Sequence, residues 1–326
     1  MRNKKILITG GTGTVGSALV KELLNRYPDL DSIVVFSRDE QKHFLMMAQF
    51  PSEKYPVRCM VGDVRDRERL MMACRNIDII IHAAAMKHVP VSEHNPIECA
   101  KTNIFGSQNV IDAAVINGVE RVIALSSDKS VSPINAYGAS KLFLERLFID
   151  ADKQYGNKFT VVRYANVFGS KGSVIPFFLA KKKDGFLPIT HPEMTRFSIT
   201  MEESLELVLF AIEHGWGGEI IVPISPSYRI VDVAEAIAPG IEQRIVGIRP
   251  GEKLHETMIG AYESAQTVRL DSRYIVCPNM GKWDREKYCS SNGAVSVPEE
   301  FEYESCRNID WLTVKQIRKL IDSQKY

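Results

Sequence analysis

The sequence predicts an α/β fold, a doubly wound parallel sheet with a smaller C-terminal domain. Three observations predict it. Short runs rich in Ile and Val alternate with helical patterns through the first 170 residues. A glycine-rich turn follows the first of these runs directly. After about Gly169 the alternation breaks into shorter segments richer in Pro and Gly.

The elements follow in order. "KILIT" is the first strand and "SALVKELLNRY" the helix after it. "SIVVFS" and "VRCMVGDV" are the next strands, and "RDRERLMMACRN" the next helix. "IDIIIHAAA" precedes the helix "GSQNVIDAAVING", and "RVIALSS" precedes "YGASKLFLERLFIDADKQYG". "FTVVRYANV" is the last main strand. These runs are nearly continuous in hydrophobicity, as strands covered on both faces must be. Right-handed crossovers then bring the strands' C-terminal ends to one edge. We therefore divide the chain into a cofactor domain over 1–170, with helices from about 200–215 returning to it, and a smaller substrate-binding domain over 171–326. "FEYESCRNIDWLTVKQIRKLI" ends in a short helix.

Composition excludes several classes. With 25% charged and 45% apolar residues the chain is an ordinary globular one. A net charge of +1 removes the electrostatic case for nucleic-acid binding. No apolar run spans a bilayer, and "MRNKKILITGG" lacks the apolar length and cleavage site of a signal peptide. Cys59, Cys74, Cys99, Cys277, Cys289 and Cys306 form no CxxC pair, so reduced thiols in a cytoplasmic protein are expected. His43, His82, His94, His191 and His214 have no metal-ligand spacing, and no metal is expected.

In "ILITGGTGTVGSALVKELL", Gly11, Gly13 and Gly16 match GxGxxG, and Gly10, Gly13 and Gly16 match GxxGxxG. Placed between strand and helix, this is the fingerprint of a dinucleotide site. The backbone approaches a pyrophosphate there, and the helix N-terminus meets it. Thr12, Thr14 and Val15 belong to the same turn. The second strand ends "VVFSRDEQK", with Ser37 and Arg38 where a ribose-binding carboxylate would stand, then Asp39 and Lys42. A hydroxyl and a guanidinium suit a 2′-phosphate, which favours NADP over NAD. Asp63 and Val64 close the third strand beside the adenine. Ala83, Ala84 and Ala85 close the fourth and leave room for the cofactor. Lys87, beyond the fourth strand, and Ser126, ending the fifth, complete the cofactor set.

"ALSSDKSVSPINAYGASK" carries the chemistry. Tyr137 and Lys141 lie four apart on a helix and share a face. A nearby ammonium lowers a phenol's pKa and lets it act as a base near neutral pH. Asp128 and Lys129 add a second acid and base eight or nine residues earlier.

With "AAAMKHVPVSEHNPIE", "TNIFGSQNVI", "RYANVFGSKGSVIPFF", "MTRFSIT", "IRPGEKLHE" and "FEYES", these stretches cover nearly the whole chain. It resembles the extended short-chain dehydrogenase/reductases, and within them the nucleotide-sugar 4,6-dehydratases of polysaccharide and pseudaminic acid biosynthesis. The resemblance implies a Rossmann domain with tightly bound NADP, regenerated in each cycle. It implies a UDP-sugar substrate, UDP-N-acetylglucosamine, and a homo-oligomer paired through the helices of Tyr137 and "GSQNVIDAAVI". Tyr137 would take the proton of the sugar's 4-hydroxyl, Lys129 the proton on carbon 5, and Asp128 would protonate the departing 6-hydroxyl. Membrane-anchored relatives that retain configuration carry Met where this chain has Tyr137, so inversion at carbon 5 is implied. Arg196, Arg249 and Lys253 are implied pyrophosphate and uridine contacts, and Glu252 a ribose contact. Lys87, His88, Asn166, Ser173, Val174 and Thr190 are implied to face the sugar. Ser127, Ala165 and Lys171 depart from the usual Thr, Gly and Arg. The alternatives are a retaining dehydratase, a UDP-glucose 4,6-dehydratase (which carries Asp-Glu at the Asp128-Lys129 positions), a UDP-sugar 4-epimerase, and a non-catalytic NADP-sensing protein.

Overall fold

A computed structural model describes residues 1–156, 158–170, 172–279 and 283–323. Lys171 lies outside the described residues. Strands β1 (Lys5–Thr9), β2 (Ser32–Ser37), β3 (Val57–Val61), β4 (Ile79–His82), β5 (Arg121–Leu125) and β6 (Lys158–Val162) are all parallel. Their spatial order is β6-β5-β4-β1-β2-β3. The order reverses between β1 and β4, and the crevice at such a switch point is where open α/β sheets bind ligands.

Residue alternation explains why the strands are apolar throughout. Ile6, Ile8, Ile33 and Val35 pack against one helical layer with Leu19 and Leu23. Leu7, Val34, Phe36, Ile80 and Val122 pack against the other. The connecting helices are α1 (Thr14–Arg26), α2 (Glu40–Gln49), α3 (Arg67–Ala73), α4 (Val89–His94), α5 (Pro96–Ala100), α6 (Gly106–Ile116) and α7 (Ala136–Tyr155).

The main sheet takes in more of the chain than its six parallel strands. Residues Ile220–Pro223 pair in parallel with β6, and Arg273–Val276, Thr267–Leu270 and Val295–Ser296 extend the sheet antiparallel. The helix Met201–His214 starts with a capping box from Thr200 and Glu203. Its buried Leu205, Val208 and Ile212 join the same core as α1.

A separate core gathers Phe168, Ile175, Phe178, Ile189, Tyr228, Val233 and Ile317. It lies among the helices Val174–Lys181, Ile230–Ile237 and Val314–Asp322. Two small sheets complete this part, Thr195–Phe197 with Ser227–Arg229 and Phe186–Ile189 with Glu242–Ile245. The six cysteines are all free thiols. Among the described residues, no helix is long and apolar enough to cross a membrane.

Candidate active site

A cleft of about 910 Å³ runs along the C-terminal ends of β1, β2, β4 and β5. Gly10 opens it with φ +65°, and a Cβ there would lie 2.8 Å from the Ala84 backbone, so only glycine fits. Gly13 caps α1 without a side-chain hydrogen bond, and no acidic residue occupies the first turn. Free N–H groups therefore face the cleft beside Thr12, Thr14 and Val15. This cradle fits a dinucleotide pyrophosphate.

At the far end Ser37, Arg38, Asp39 and Lys42 line the same cleft. Thr12 Oγ1 and Ser37 Oγ are 2.8 Å apart, and Ser37 Oγ is 3.0 Å from His43 Nε2. Arg38 is largely exposed, 3.7 Å from Asp63. Lys42 lies 3.0 Å from Asp39, whose carboxylate also accepts the Lys42 N–H and is held below its usual range by it. Two cations thus stand where a 2′-phosphate is expected, each already beside a carboxylate. Val64, Ala83, Ala84, Ala85, Lys87 and Ser126 line the middle, and Tyr137 and Lys141 the inner end.

The strand-to-helix passage after β5 builds the chemical end. Ser127 starts a tight turn over Asp128–Ser130, and Asn135 caps α7 by accepting the Gly138 N–H at 2.7 Å. A Cβ on Gly138 would meet the Lys129 carbonyl at 2.2 Å, so glycine lets α7 press against that turn. Lys129 Nζ donates to Asp128 Oδ1 at 3.0 Å and lies 3.3 Å from Glu256 Oε1. Burial alone would push the Lys129 ammonium down, but Asp128 and Glu256 outweigh burial and hold it above the ordinary lysine value. Ser127 Oγ donates to Asp128 Oδ1 at 2.8 Å.

Tyr137 and Lys141 both line the inner end of the cleft. Burial pushes the Tyr137 phenol up to about 12, opposed by the Lys129 ammonium and a hydrogen bond with Ser127. Lys141 is held at the end of β5. Its ammonium donates to the Leu125 carbonyl at 2.6 Å, and burial pushes it down to about 8. Tyr137 and Lys141 share a face of α7, with the Lys141 ammonium anchored on the end of β5.

The substrate set divides. Lys87, His88 and Asn166 line the cleft, and burial pushes Lys87 down. Ser173 opens the helix that Val174 begins, and its buried hydroxyl has no hydrogen-bond partner among the described residues. Thr190 Oγ1 points to Met194 Sδ at 3.2 Å, and Arg249 is exposed on a loop. Arg196 is buried and committed internally. It donates to the carbonyls of Thr195 at 2.7 Å, Leu254 at 3.1 Å and Lys253 at 3.0 Å, and lies 3.3 Å from Glu252 Oε1. Lys253 likewise donates to the Val131 carbonyl at 2.6 Å. These two cations fasten the 252–256 segment in place and do not line the cleft.

Three supporting groups escaped sequence reasoning. Asn103 bonds both the N–H and the carbonyl of Met86 and the Ser140 hydroxyl, joining a cleft loop to α7. Glu145 accepts from Ser126 Oγ at 2.6 Å and Ser130 Oγ at 2.7 Å, bracing both sides of the Asp128-Lys129 turn. Arg163 ties Glu145 to Glu263 through hydrogen bonds of 2.7–2.9 Å, all three side chains being buried. The one local signal was a Glu four residues beyond Lys141, on the helix face that Tyr137 and Lys141 share.

The sequence matches the family described as polysaccharide biosynthesis protein over residues 6–278. It is 47% identical over 328 residues to a UDP-N-acetylglucosamine 4,6-dehydratase (inverting) of Campylobacter jejuni subsp. jejuni serotype O:23/36 (strain 81-176), covering 98% of this chain and 97% of that one. It is 37% identical over 331 residues to a UDP-glucose 4-epimerase of Rickettsia massiliae (strain Mtu5), covering 98% and 96%. Among solved structures, Pen from Bacillus thuringiensis superposes with a TM-score of 0.89 at 35% identity, covering 99% of this chain and 98% of that one. The chain belongs to the polysaccharide biosynthesis protein family of short-chain dehydrogenase/reductases, and groups there with the nucleotide-sugar 4,6-dehydratases, which are hydro-lyases.

Proposed function

We propose that the chain converts UDP-N-acetylglucosamine to the 4-keto-6-deoxy sugar with inversion at carbon 5, using NADP. The observation that carries this reading is the Asp128-Lys129 ion pair beside Tyr137, which itself lines the inner end of the dinucleotide cleft. NADP, when bound, would supply the hydride acceptor for carbon 4 and the hydride donor for carbon 6. Tyr137, as the phenolate, takes the 4-hydroxyl proton as hydride leaves carbon 4, and the ketone formed acidifies carbon 5. Asp128 and Glu256 hold Lys129 as the ammonium at rest. Its proton passes to Asp128, which makes Lys129 a base and Asp128 an acid. Lys129 then removes the carbon 5 proton, and Asp128 afterwards protonates the departing 6-hydroxyl. An oxidoreductase or epimerase has no step that needs this second pair. Phe105, Ile116 and Phe143, exposed on and beside α6 and α7, support self-association through that face.

The test is proton NMR of the purified protein with UDP-N-acetylglucosamine in heavy water. A 6-methyl signal with deuterium at carbon 5 and L-arabino couplings is expected. D-xylo couplings would overturn inversion. A 4-epimer without a methyl signal would favour the epimerase reading.

Arg38 tests the cofactor preference. Arg38→Ala removes a charge-assisted contact of about 1.5–3 kcal/mol, so NADP affinity should fall about 10–100-fold. NAD affinity should not change, as titration calorimetry of both cofactors would reveal. An equal loss for both would sink the 2′-phosphate assignment.

A further inference from the structure

Lys129 lies between two carboxylates. Asp128 Oδ1 is 3.0 Å from its Nζ and Glu256 Oε1 is 3.3 Å away. The two acids are 1% and 2% exposed, and Lys129 keeps 16%. Each acid has a second oxygen, Asp128 Oδ2 and Glu256 Oε2, that is buried with no hydrogen-bond partner among the described residues. The backbone fixes Glu256 firmly. Its N–H donates to Ser305 Oγ at 3.0 Å, and its carbonyl accepts the Ser305 N–H at 2.8 Å. The next residues, Thr257–Ile259, pair antiparallel with Tyr303–Glu304.

We propose that Glu256 is a positioning residue for the elimination, the counter-ion of the Lys129 ammonium formed as carbon 5 gives up its proton. The proposal rests on the dehydratase reading above. Its warrant is the proton balance of that step. At rest the three groups share one titratable proton, on Lys129. Moving it to Asp128 creates the acid and the base together. The C5–H bond then breaks as an N–H bond forms on Lys129. The released electron pair becomes the C5–C6 double bond, and the C6–O bond breaks. The departing hydroxyl takes the Asp128 proton and leaves as water. The three groups end as they began.

During this step Asp128 is still protonated and cannot balance a cation on Lys129. A buried ammonium without a counter-ion is strongly disfavoured. The charged and titratable groups that act on or flank Lys129 are Asp128, Glu256, Arg196, Lys253, Tyr137 and Tyr228. With Asp128 neutral, Glu256 is the one carboxylate left among them.

The test is Glu256→Gln in the full chain with bound NADP, with Glu256→Asp as the conservative partner. Removal of hydride from carbon 4 should persist while elimination stalls. Reduced cofactor should then accumulate in near-ultraviolet absorbance when UDP-N-acetylglucosamine is added. Methyl product and deuterium uptake at carbon 5 should slow by at least about tenfold. Glu256→Asp should recover part of the loss. A structural role alone would weaken substrate binding or folding without this partition. A second readout needs no turnover. The pH dependence of Lys129 acylation, followed by peptide mass spectrometry, should have its midpoint about one unit or more lower in Glu256→Gln. Turnover lost without reduced cofactor accumulating, wild-type turnover, or an unmoved Lys129 midpoint would each overturn the proposal. If the wild type forms no methyl product, the substrate reading fails, and the Lys129 midpoint still decides the role of Glu256.

Discussion

Tyr137→Phe is expected to lower turnover by about 10²–10⁴-fold, the range a positioned general base contributes. The phenyl ring keeps its packing, and only the buried hydroxyl near Ser127 and Lys129 is lost. Binding of UDP-N-acetylglucosamine should therefore change little. The block falls before hydride leaves carbon 4, so no reduced cofactor should appear. Stopped-flow absorbance after mixing with substrate checks this directly. The expected trace is flat, opposite to that of Glu256→Gln. Accumulation of reduced cofactor in Tyr137→Phe would take the first proton transfer away from Tyr137.

The largest stability effect is expected at Arg163. Its guanidinium is 1% exposed and pairs with Glu145 at 2.7 Å and Glu263 at 2.9 Å. Arg163→Met leaves two buried carboxylates without their cation, which costs about 3–5 kcal/mol. The pH dependence follows from Glu145. Burial would raise its carboxyl, but Arg163 and the serine hydroxyls outweigh this and hold it below the usual range. In the wild type this contribution is complete above the unfolded carboxyl value and lost as pH falls through the lowered folded one. In the variant the cation is gone and burial dominates. Protonating the stranded acid then relieves the cost, so the deficit should shrink on acidification. Urea denaturation of both proteins at about pH 8 and about pH 5 measures this. A deficit below about 1 kcal/mol at the higher pH, or one that grows on acidification, would mean that the cluster is not held by charge.

The parallel core and the glycine turn were legible because both are local. "KILIT" and "SIVVFS" coincide with β1 and β2 to the residue, since continuous apolar runs between helical patterns leave little freedom. The remaining strands of the main sheet were not legible. Ile220–Pro223 and Arg273–Val276 lie outside the regular strand-helix alternation that marked even the four-residue β4, and tertiary pairing decides which sheet they join. The site divided in the same way. The turn Asp128–Ser130 and the start of α7 lie close in sequence, so one short stretch held all four groups, while the roles of Asp128 and Lys129 came from the family resemblance. Glu256 and Arg163 reach the site through folding from distant segments, and no spacing announces them. Arg196 shows the converse. Sequence cannot distinguish an arginine offered to an anion from one whose donors are already taken by carbonyls of its own chain.

The threading of Tyr303–Glu304 onto Thr257–Ile259, with Ser305 holding Glu256, bears on when the protein becomes active. Synthesis delivers a chain from its N-terminus. The six parallel strands and the glycine cradle are complete by Val162, so a nascent chain can assemble the nucleotide pocket early. The wall beside Lys129 must wait for residue 305, long after the parallel strands have been made. On the dehydratase reading, a fragment ending before that residue is expected to bind a dinucleotide, checked by cofactor titration, and to fail at the elimination. Dinucleotide capture would therefore report a half-made protein as readily as a finished one.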